Sequence, residues 1–251
     1  MPEILITNDD GIHSPGLRSL ANSLRKLGKV TIVSPDREMS SISHAISLHR
    51  PLRIEELGDG YFKVDGTPAD CVYLGAIKIL EKKPALVASG INKGPNMGED
   101  VVYSGTVAAA LEATILNIPA FSISLASFEE FVFAPAASFA YFLAKKIIEE
   151  GLPTATFLNV NIPPGKIKGV KITSQGRRYY REKVEEQIDP RGRKSYWIGG
   201  ESSNLRRQPG SDIEAINEGN ISITPLQLDF TNYGALNSIG CWTEWLSQKM
   251  Q

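Results

Sequence analysis

The chain has 251 residues, with 27 Lys+Arg against 28 Asp+Glu, so a formal net charge of -1 offers no global field to pull it onto nucleic acid or an anionic membrane. At 42% hydrophobic and 22% charged it has the composition of an ordinary folded domain, and at this length roughly 70 to 75% of the unfolded surface is buried without covalent staples. Cys71 and Cys241 are too few and too far apart for a disulfide framework or a thiolate zinc cage, and no run of about 18 apolar residues is present, so a cytoplasmic protein with neither signal peptide nor membrane span is expected.

Residues 3 to 7 form a short apolar run that stops at Asn8-Asp9-Asp10-Gly11, the pattern of a buried parallel strand ending in a turn. Ser14-Pro15 then supplies an N-cap and a first-turn proline, and Leu17, Leu20, Ala21, Leu24 and Leu27 keep helical spacing up to Gly28. Val30 to Val33 reads as the second strand, completing a βαβ unit. The alternation continues through a strand at 85–88, a helix at 104–116, a strand at 120–125 after Pro119, and a helix at 135–150 stopped by Gly151. A doubly wound α/β sheet follows from this order.

Between 177 and 194 the texture changes. Eleven of these eighteen residues are charged, seven of them basic, and Asp189-Pro190-Arg191-Gly192 marks a turn between Tyr-bearing flanks, so a protruding β-hairpin arm is predicted. A short capped helix at 211–218, a strand at 221–224 and a helix at 236–248 complete the chain. The last carries Leu236, Ile239, Trp242, Trp245 and Leu246, a face suited to docking on its own subunit or on a neighbour.

In an open α/β sheet the ligand binds beyond the carboxyl ends of the strands, and four segments there carry complementary chemistry. After the first strand, where a dinucleotide site would place GxGxxG, stand Asp9, Asp10 and Gly11. Two carboxylates repel a phosphate unless a cation lies between, and oxygen donors select a hard ion such as Mg²⁺, Mn²⁺ or Ca²⁺. Taken alone, Asp-Asp-Gly after a strand is more often a turn or helix-start signal than a metal site. Ser34 to Ser41 follows the second strand and contributes hydroxyls. Ser89 to Gly98 is a rigid Gly- and Pro-rich run with Asn92 and Asn96, whose amides can serve a cation or a phosphate. Ser104-Gly105-Thr106 opens a helix, where free N–H groups and the macrodipole favour phosphate, although Ser104 also reads as a simple cap. A cation and a phosphate cradle at one sheet edge imply phosphoryl hydrolysis. There is no GxxxxGK[ST], and adjacent Asp9 and Asp10 lack the Asp-x-Asp spacing of aspartyl-phosphate phosphatases.

With those residues in view, the chain resembles the SurE survival-protein family of metal-dependent nucleotidases. The resemblance runs along nearly the whole chain, through Ile4 to Gly11, Ser34 to Arg37, Gly66 to Cys71, Ser89 to Gly98, Ser104 to Ala110, Asn159 to Pro163 and Ile221 to Pro225. It implies metal ligands at Asp9, Asp10, Ser40 and Asn92, with Asp9 and Asp10 central to catalysis, and phosphate or substrate contacts at Asn96, Ser104, Gly105 and Thr106. It further implies one divalent cation per subunit, Mg or Mn, and nucleoside monophosphates as substrates cleaved by metal-assisted attack of water on the phosphate. Its fold is a Rossmann-like, mostly parallel, doubly wound sheet with a smaller C-terminal part. On this chain that gives a catalytic core at 1–175 and, at 176–251, an arm and terminal helix that join subunits into a homodimer or homotetramer. The stretch Ser40 to His44 lacks the glycine that family members carry after the metal serine.

Two rival readings attach to other features. Arg177, Arg178, Arg181 and Lys183 beside Tyr179 and Tyr180 could track a nucleic-acid strand, but four acidic residues dilute the arm's field and an oligomerisation hairpin is preferred. A dinucleotide-dependent oxidoreductase would need the missing glycine fingerprint. His13, His44 and His49 show no metal-ligand spacing among themselves, and His13 alone lies near Asp10.

Overall fold

The fold is taken from a computed structural model in which residues 1–177, 183–199 and 208–250 are described. Strand β1 (Glu3–Thr7) is followed by α1 (Pro15–Leu24) and β2 (Lys29–Pro35). A hairpin of β3 (Ile54–Gly58) and β4 (Tyr61–Val64) leads into α2 (Pro68–Leu74), which continues as one π-helical turn at Gly75–Ile79. Then come β5 (Leu86–Lys93), the single turn α3 (Asp100–Tyr103), α4 (Gly105–Ile115), β6 (Ala120–Leu125) and α5 (Ala134–Glu150). The remainder comprises β7 (Thr156–Ile162), β8 (Gly169–Ile172), β9 (Lys183–Ile188), β10 (Lys194–Gly199), α6 (Asp212–Asn217), β11 (Asn220–Gln227), α7 (Tyr233–Gly240) and α8 (Trp242–Lys249).

Nine strands form one sheet in the order β3-β4-β2-β1-β5-β6-β7-β11-β8. Pairing is parallel from β4 through β7 and between β11 and β8, and antiparallel only at β3–β4 and β7–β11. The α/β, mostly parallel architecture read from the element order is therefore the one observed. β1 is flanked by β2 on one side and β5 on the other, so the order reverses at β1 and opens a crevice at the carboxyl ends of β1 and β5.

Both faces of the central strands are covered. Ile4 and Ile6 of β1 pack with Leu17, Leu20 and Leu24 of α1 and with Ala140, Ala144 and Ile147 of α5. The intervening Leu5 faces the other way, toward Cys71 and Val72 of α2 and Val107, Ala110 and Ala113 of α4. This is why β1 reads as an unbroken apolar run rather than an alternating one.

Several boundaries differ from the sequence expectation. Helix α1 ends at Leu24 with Arg25 as its C-cap, four residues before Gly28. Gly28 instead permits a close approach: a Cβ there would lie 2.2 Å from the Pro2 carbonyl oxygen. The terminal helix is broken at Cys241 into α7 and α8, and their apolar side chains stay largely exposed, Leu236, Trp242 and Trp245 by 55, 59 and 60%. The β3–β4 hairpin, α2, β7 and β8 are elements the periodicity did not flag, because β3 and β8 are short and solvated and α2 spans under two turns. The arm is present as the antiparallel pair β9–β10, its turn held by Asp189 Oδ1 accepting from the backbone N–H groups of Arg191 and Arg193. Of the basic and aromatic residues proposed for strand tracking, Arg178, Tyr179, Tyr180 and Arg181 lie outside the described residues.

Candidate active site

The turn after β1 is locked from within. Asn8 is fully buried; its amide donates to the Gly11 carbonyl at 3.1 Å and its oxygen accepts from the Ser34 hydroxyl at 2.5 Å. Gly11 has φ +88°, and a Cβ on it would lie 3.0 Å from the Arg37 carbonyl carbon, so the loop after β2 closes against this turn only because residue 11 is glycine. Met39 N–H donates to the Asp9 carbonyl at 2.8 Å. These bonds bring the Ser34–Ser41 loop beside Asp9 and Asp10.

The start of α4 closes the site from the other side. Ser104 caps the helix, its hydroxyl accepting from Val107 N–H at 3.1 Å, while Thr106 donates to the Asp9 carboxylate twice, through its backbone N–H to Oδ2 at 3.1 Å and through its hydroxyl to Oδ1. Gly105 makes this contact possible: a Cβ would sit 2.9 Å from Asp9 Cβ and 3.2 Å from its Oδ2. Of the residues expected to cradle phosphate, Thr106 thus addresses Asp9 here, and Gly105 acts by having no side chain.

The loop after β5 is anchored by asparagines and one aspartate. Asn96 donates its backbone N–H to Asn161 Oδ1 at 2.9 Å and its side-chain amide to Ser124 Oγ at 2.9 Å, while its carbonyl accepts from Asn159 and Asn161 at 2.8 and 3.0 Å. Asn159 and Asn161 are two apart on β7 and so share one face of the sheet. Asp212, fully buried at the start of α6, accepts from Gly98 N–H at 3.0 Å and from Gly176 N–H at 2.9 Å. Asn92 donates to the Gly94 carbonyl at 2.9 Å, a bond that leaves its amide oxygen unused.

One cavity of about 760 Å³ is lined by Asp9, Asp10, Ser40, Asn92, Asn96 and Ser104, together with Glu38, Lys93, Asp100 and Tyr103. Six of the eight residues singled out from the sequence therefore face one space, and Gly105 and Thr106 stand directly behind Asp9. Glu38, which accepts from Ser40 Oγ at 2.6 Å, and Lys93 were missed, as were Asn8 and Asp212. The paired spacing of Asn159 and Asn161 on a strand was a readable signal for shared anchoring. Nothing local marks Asp212. His13 and His49 are exposed, whereas His44 Nε2 lies 2.8 Å from the buried Glu112 carboxylate on α4.

Electrostatically the acidic pair is strained by its setting. Burial pushes the Asp9 carboxyl above its ordinary range against the opposing pull of the Thr106 hydroxyl and amide. Asp10 is raised to about 6, first by burial, then by the Asp9 charge, with Lys93 opposing and Glu38 adding to the rise. A divalent cation relieves this repulsion. Among the described residues no group of three His, Cys, Asp or Glu side chains gathers to hold a metal. The donors at hand are two carboxylates with a hydroxyl and an amide, a set that fits a hard, oxygen-seeking ion and not a zinc cage.

Comparison with known proteins gives the family of the chain. A profile of the family described as "Survival protein SurE" matches residues 4–182. A curated relative from Syntrophotalea carbinolica, named 5'-nucleotidase SurE, is 51% identical over 242 residues, covering 96% of this chain and 97% of its own. One of the same name from Aquifex aeolicus is 47% identical over 244 residues, covering 95% and 97%. The crystal structure of the SurE protein from Aquifex aeolicus matches with a TM-score of 0.86 at 46% identity, covering 95% of this chain and 98% of that one. With the profile spanning the strand ends that build the cavity, and relatives near half identical over nearly the full length, this chain belongs to the SurE survival-protein family.

Proposed function

We propose that this chain is a divalent-metal-dependent 5'-nucleotidase that hydrolyses nucleoside monophosphates to nucleoside and phosphate. The observation that carries the reading is the meeting of Asp9, Asp10, Ser40, Asn92, Asn96 and Ser104 around one cavity at the point where the strand order reverses. The curated relatives that bear the name 5'-nucleotidase support the same substrate class.

Asp9, Asp10, Ser40 and Asn92 would hold the cation, Mg²⁺ or Mn²⁺, one per subunit. When bound it polarises the phosphoryl group and acidifies water. Asp9 is fixed for this task by Thr106, which donates to both of its carboxylate oxygens. Asn96, held by Ser124 and Asn161, presents a preoriented amide to the phosphate, and Ser104 contributes the positive end of α4. Water is the attacking group.

The assay is phosphate release from AMP with Mn²⁺, Mg²⁺ or EDTA. Asp9→Asn and Asp10→Asn are each expected to lower kcat by about 10³-fold or more, in line with the loss of a preorganised charge, while the fold persists. Near-normal turnover in both variants sinks the proposal. A panel of nucleoside 5'- and 3'-monophosphates run beside AMP ranks bases and phosphate positions.

The assembly we propose is a homodimer or homotetramer, supported by the exposed apolar side chains of α7 and α8 and by the exposed arm. The cytoplasm is the proposed compartment, supported by the free thiols of Cys71 and Cys241. No described helix is long and apolar enough to cross a membrane.

A further inference from the structure

The catalytic cavity has a charge problem that its acidic residues create. Asp9, Asp10 and Glu38 bring carboxylates to it, and among the described lining residues Lys93 is the basic one. One divalent cation leaves such a lining negative, yet the substrate is a phosphate dianion. The start of α4, the other source of positive potential, is shared: Thr106 N–H is committed to Asp9 and Val107 N–H to Ser104 Oγ, so two amides of its first turn are not aimed at a phosphate. The backbone N–H of Asn96 is committed to Asn161 as well. Neither the Asn96 side-chain amide nor the first turn of α4 carries a full positive charge, which a phosphate dianion beside these carboxylates calls for.

We infer that Lys93 is a phosphate-binding residue, its ammonium contacting a nonbridging oxygen of the substrate's phosphomonoester. This inference rests on the nucleotidase reading. Lys93 is the last residue of β5, next in sequence to Asn92, and its side chain is exposed at the cavity wall. Its Nζ lies 5.8 Å from the centroid of the Phe131 ring, an aromatic shelf that stacks on Phe133 at 6.5 Å. Phe133 is itself seated against α1, its ring edge 2.9 Å from where a Cβ on Gly16 would stand. The shelf thus limits where the ammonium travels, while Lys93 itself lines the cavity. A lysine serves here as a point charge on a flexible stem, able to meet the phosphate on arrival.

A purely structural lysine and a phosphate-binding one differ in sign toward the two ligands, because a cation repels a metal ion and attracts an anion. The test compares wild type, Lys93→Met and Lys93→Arg by calorimetry, titrating Mn²⁺ into the metal-free protein and inorganic phosphate into the Mn²⁺-loaded protein, alongside kcat and KM for AMP. Lys93→Met is expected to weaken phosphate binding and raise KM by about 5- to 10-fold, with Mn²⁺ binding unchanged or tighter, and Lys93→Arg to stay within about 2-fold of wild type. Unaltered phosphate affinity in Lys93→Met overturns the inference while AMP turnover still upholds the nucleotidase. Parallel weakening of Mn²⁺ and phosphate also overturns it, assigning Lys93 to the shape of the site. If the wild type fails to hydrolyse AMP but phosphate binding still drops in Lys93→Met, the nucleotidase reading falls and the anion contact stands.

Discussion

At the scale of single residues, the site is a pair of carboxylates held where water would not choose to leave them charged. Asp10 has its carboxyl raised from 3.8 to about 6 chiefly by burial and by Asp9. A carboxyl whose folded value lies above its unfolded one costs nothing when both states are protonated, and costs progressively more as pH climbs through the gap. Metal-free protein therefore loses stability between pH 3.8 and about 6, and Asp10→Asn removes the loss. Because Asp10 is partly solvated, the gain is set at about 1 kcal/mol at neutral pH. Thermal melts in EDTA are expected to place Asp10→Asn above wild type at pH 7.5, with the gap closing at pH 4; a wild type that gains on the variant as pH rises contradicts the repulsion. By the same competition Mn²⁺ affinity falls as pH drops through about 6, since protons and cation contend for one carboxylate. Thr106 is the complementary case. Thr106→Val keeps the backbone bond to Asp9 but strips the hydroxyl, leaving a buried acceptor short of one donor, so a stability loss of about 1–3 kcal/mol and a lower kcat are expected by denaturant titration and AMP assay.

At the scale of elements, helix α4 is placed by one missing side chain. Gly105 lets its first turn come within contact of Asp9, and Gly105→Ala would drive a methyl to 2.9 Å from Asp9 Cβ and 3.1 Å from Ile42 Cγ2. Alanine is intrinsically the better helix former by about 1 kcal/mol, so propensity alone forecasts a more stable protein. The tertiary clash forecasts the opposite: a lower melting temperature together with a fall in kcat of about 10²-fold or more, the size of losing one oriented donor. A variant that melts higher and turns over normally removes the close approach as the reason for glycine. The segment from Ser40 to Ser47 is likewise an element with no regular structure but fixed attachments. Ser43 N–H donates to the Tyr103 carbonyl, His44 pairs with Glu112 of α4, and Ser47 N–H donates to Asp70, the residue that closes the capping box of α2 with Thr67. The Gly66–Cys71 motif, legible in the sequence as a family mark without a chemical role, holds this loop from a distance.

At the scale of the molecule, the sheet is finished by a late strand, β11, which pairs antiparallel with β7 and parallel with β8. Beyond it, α7 and α8 expose Leu236, Ile239, Trp242, Trp245 and Leu246, side chains large enough that leaving them in water forgoes roughly 1.5–3 kcal/mol each. Such a surface is the kind that a second subunit covers. If α7 and α8 join subunits as proposed, Trp242→Glu with Trp245→Glu is expected to shift sedimentation from oligomer to monomer while the circular dichroism of the sheet is kept. Unchanged oligomer mass would place the subunit contact elsewhere.

The sequence by itself determined the alternation of strands and helices, because apolar runs and 3.6-residue periodicity are local properties, and it pointed to the strand ends that line the cavity, because Asp9, Asp10 and Asn96 follow strands, Asn92 sits at the end of one and Ser104 caps a helix. Only the tertiary structure decided that Thr106 serves Asp9, that Asp212 anchors Gly98 from 114 residues away, and that Glu38 and Lys93 join the cavity wall. The physical reason is that strand order and close approach are set by packing between distant segments. Spacing along the chain records which residues an element carries, whereas the crevice exists only once β1 lies between β2 and β5.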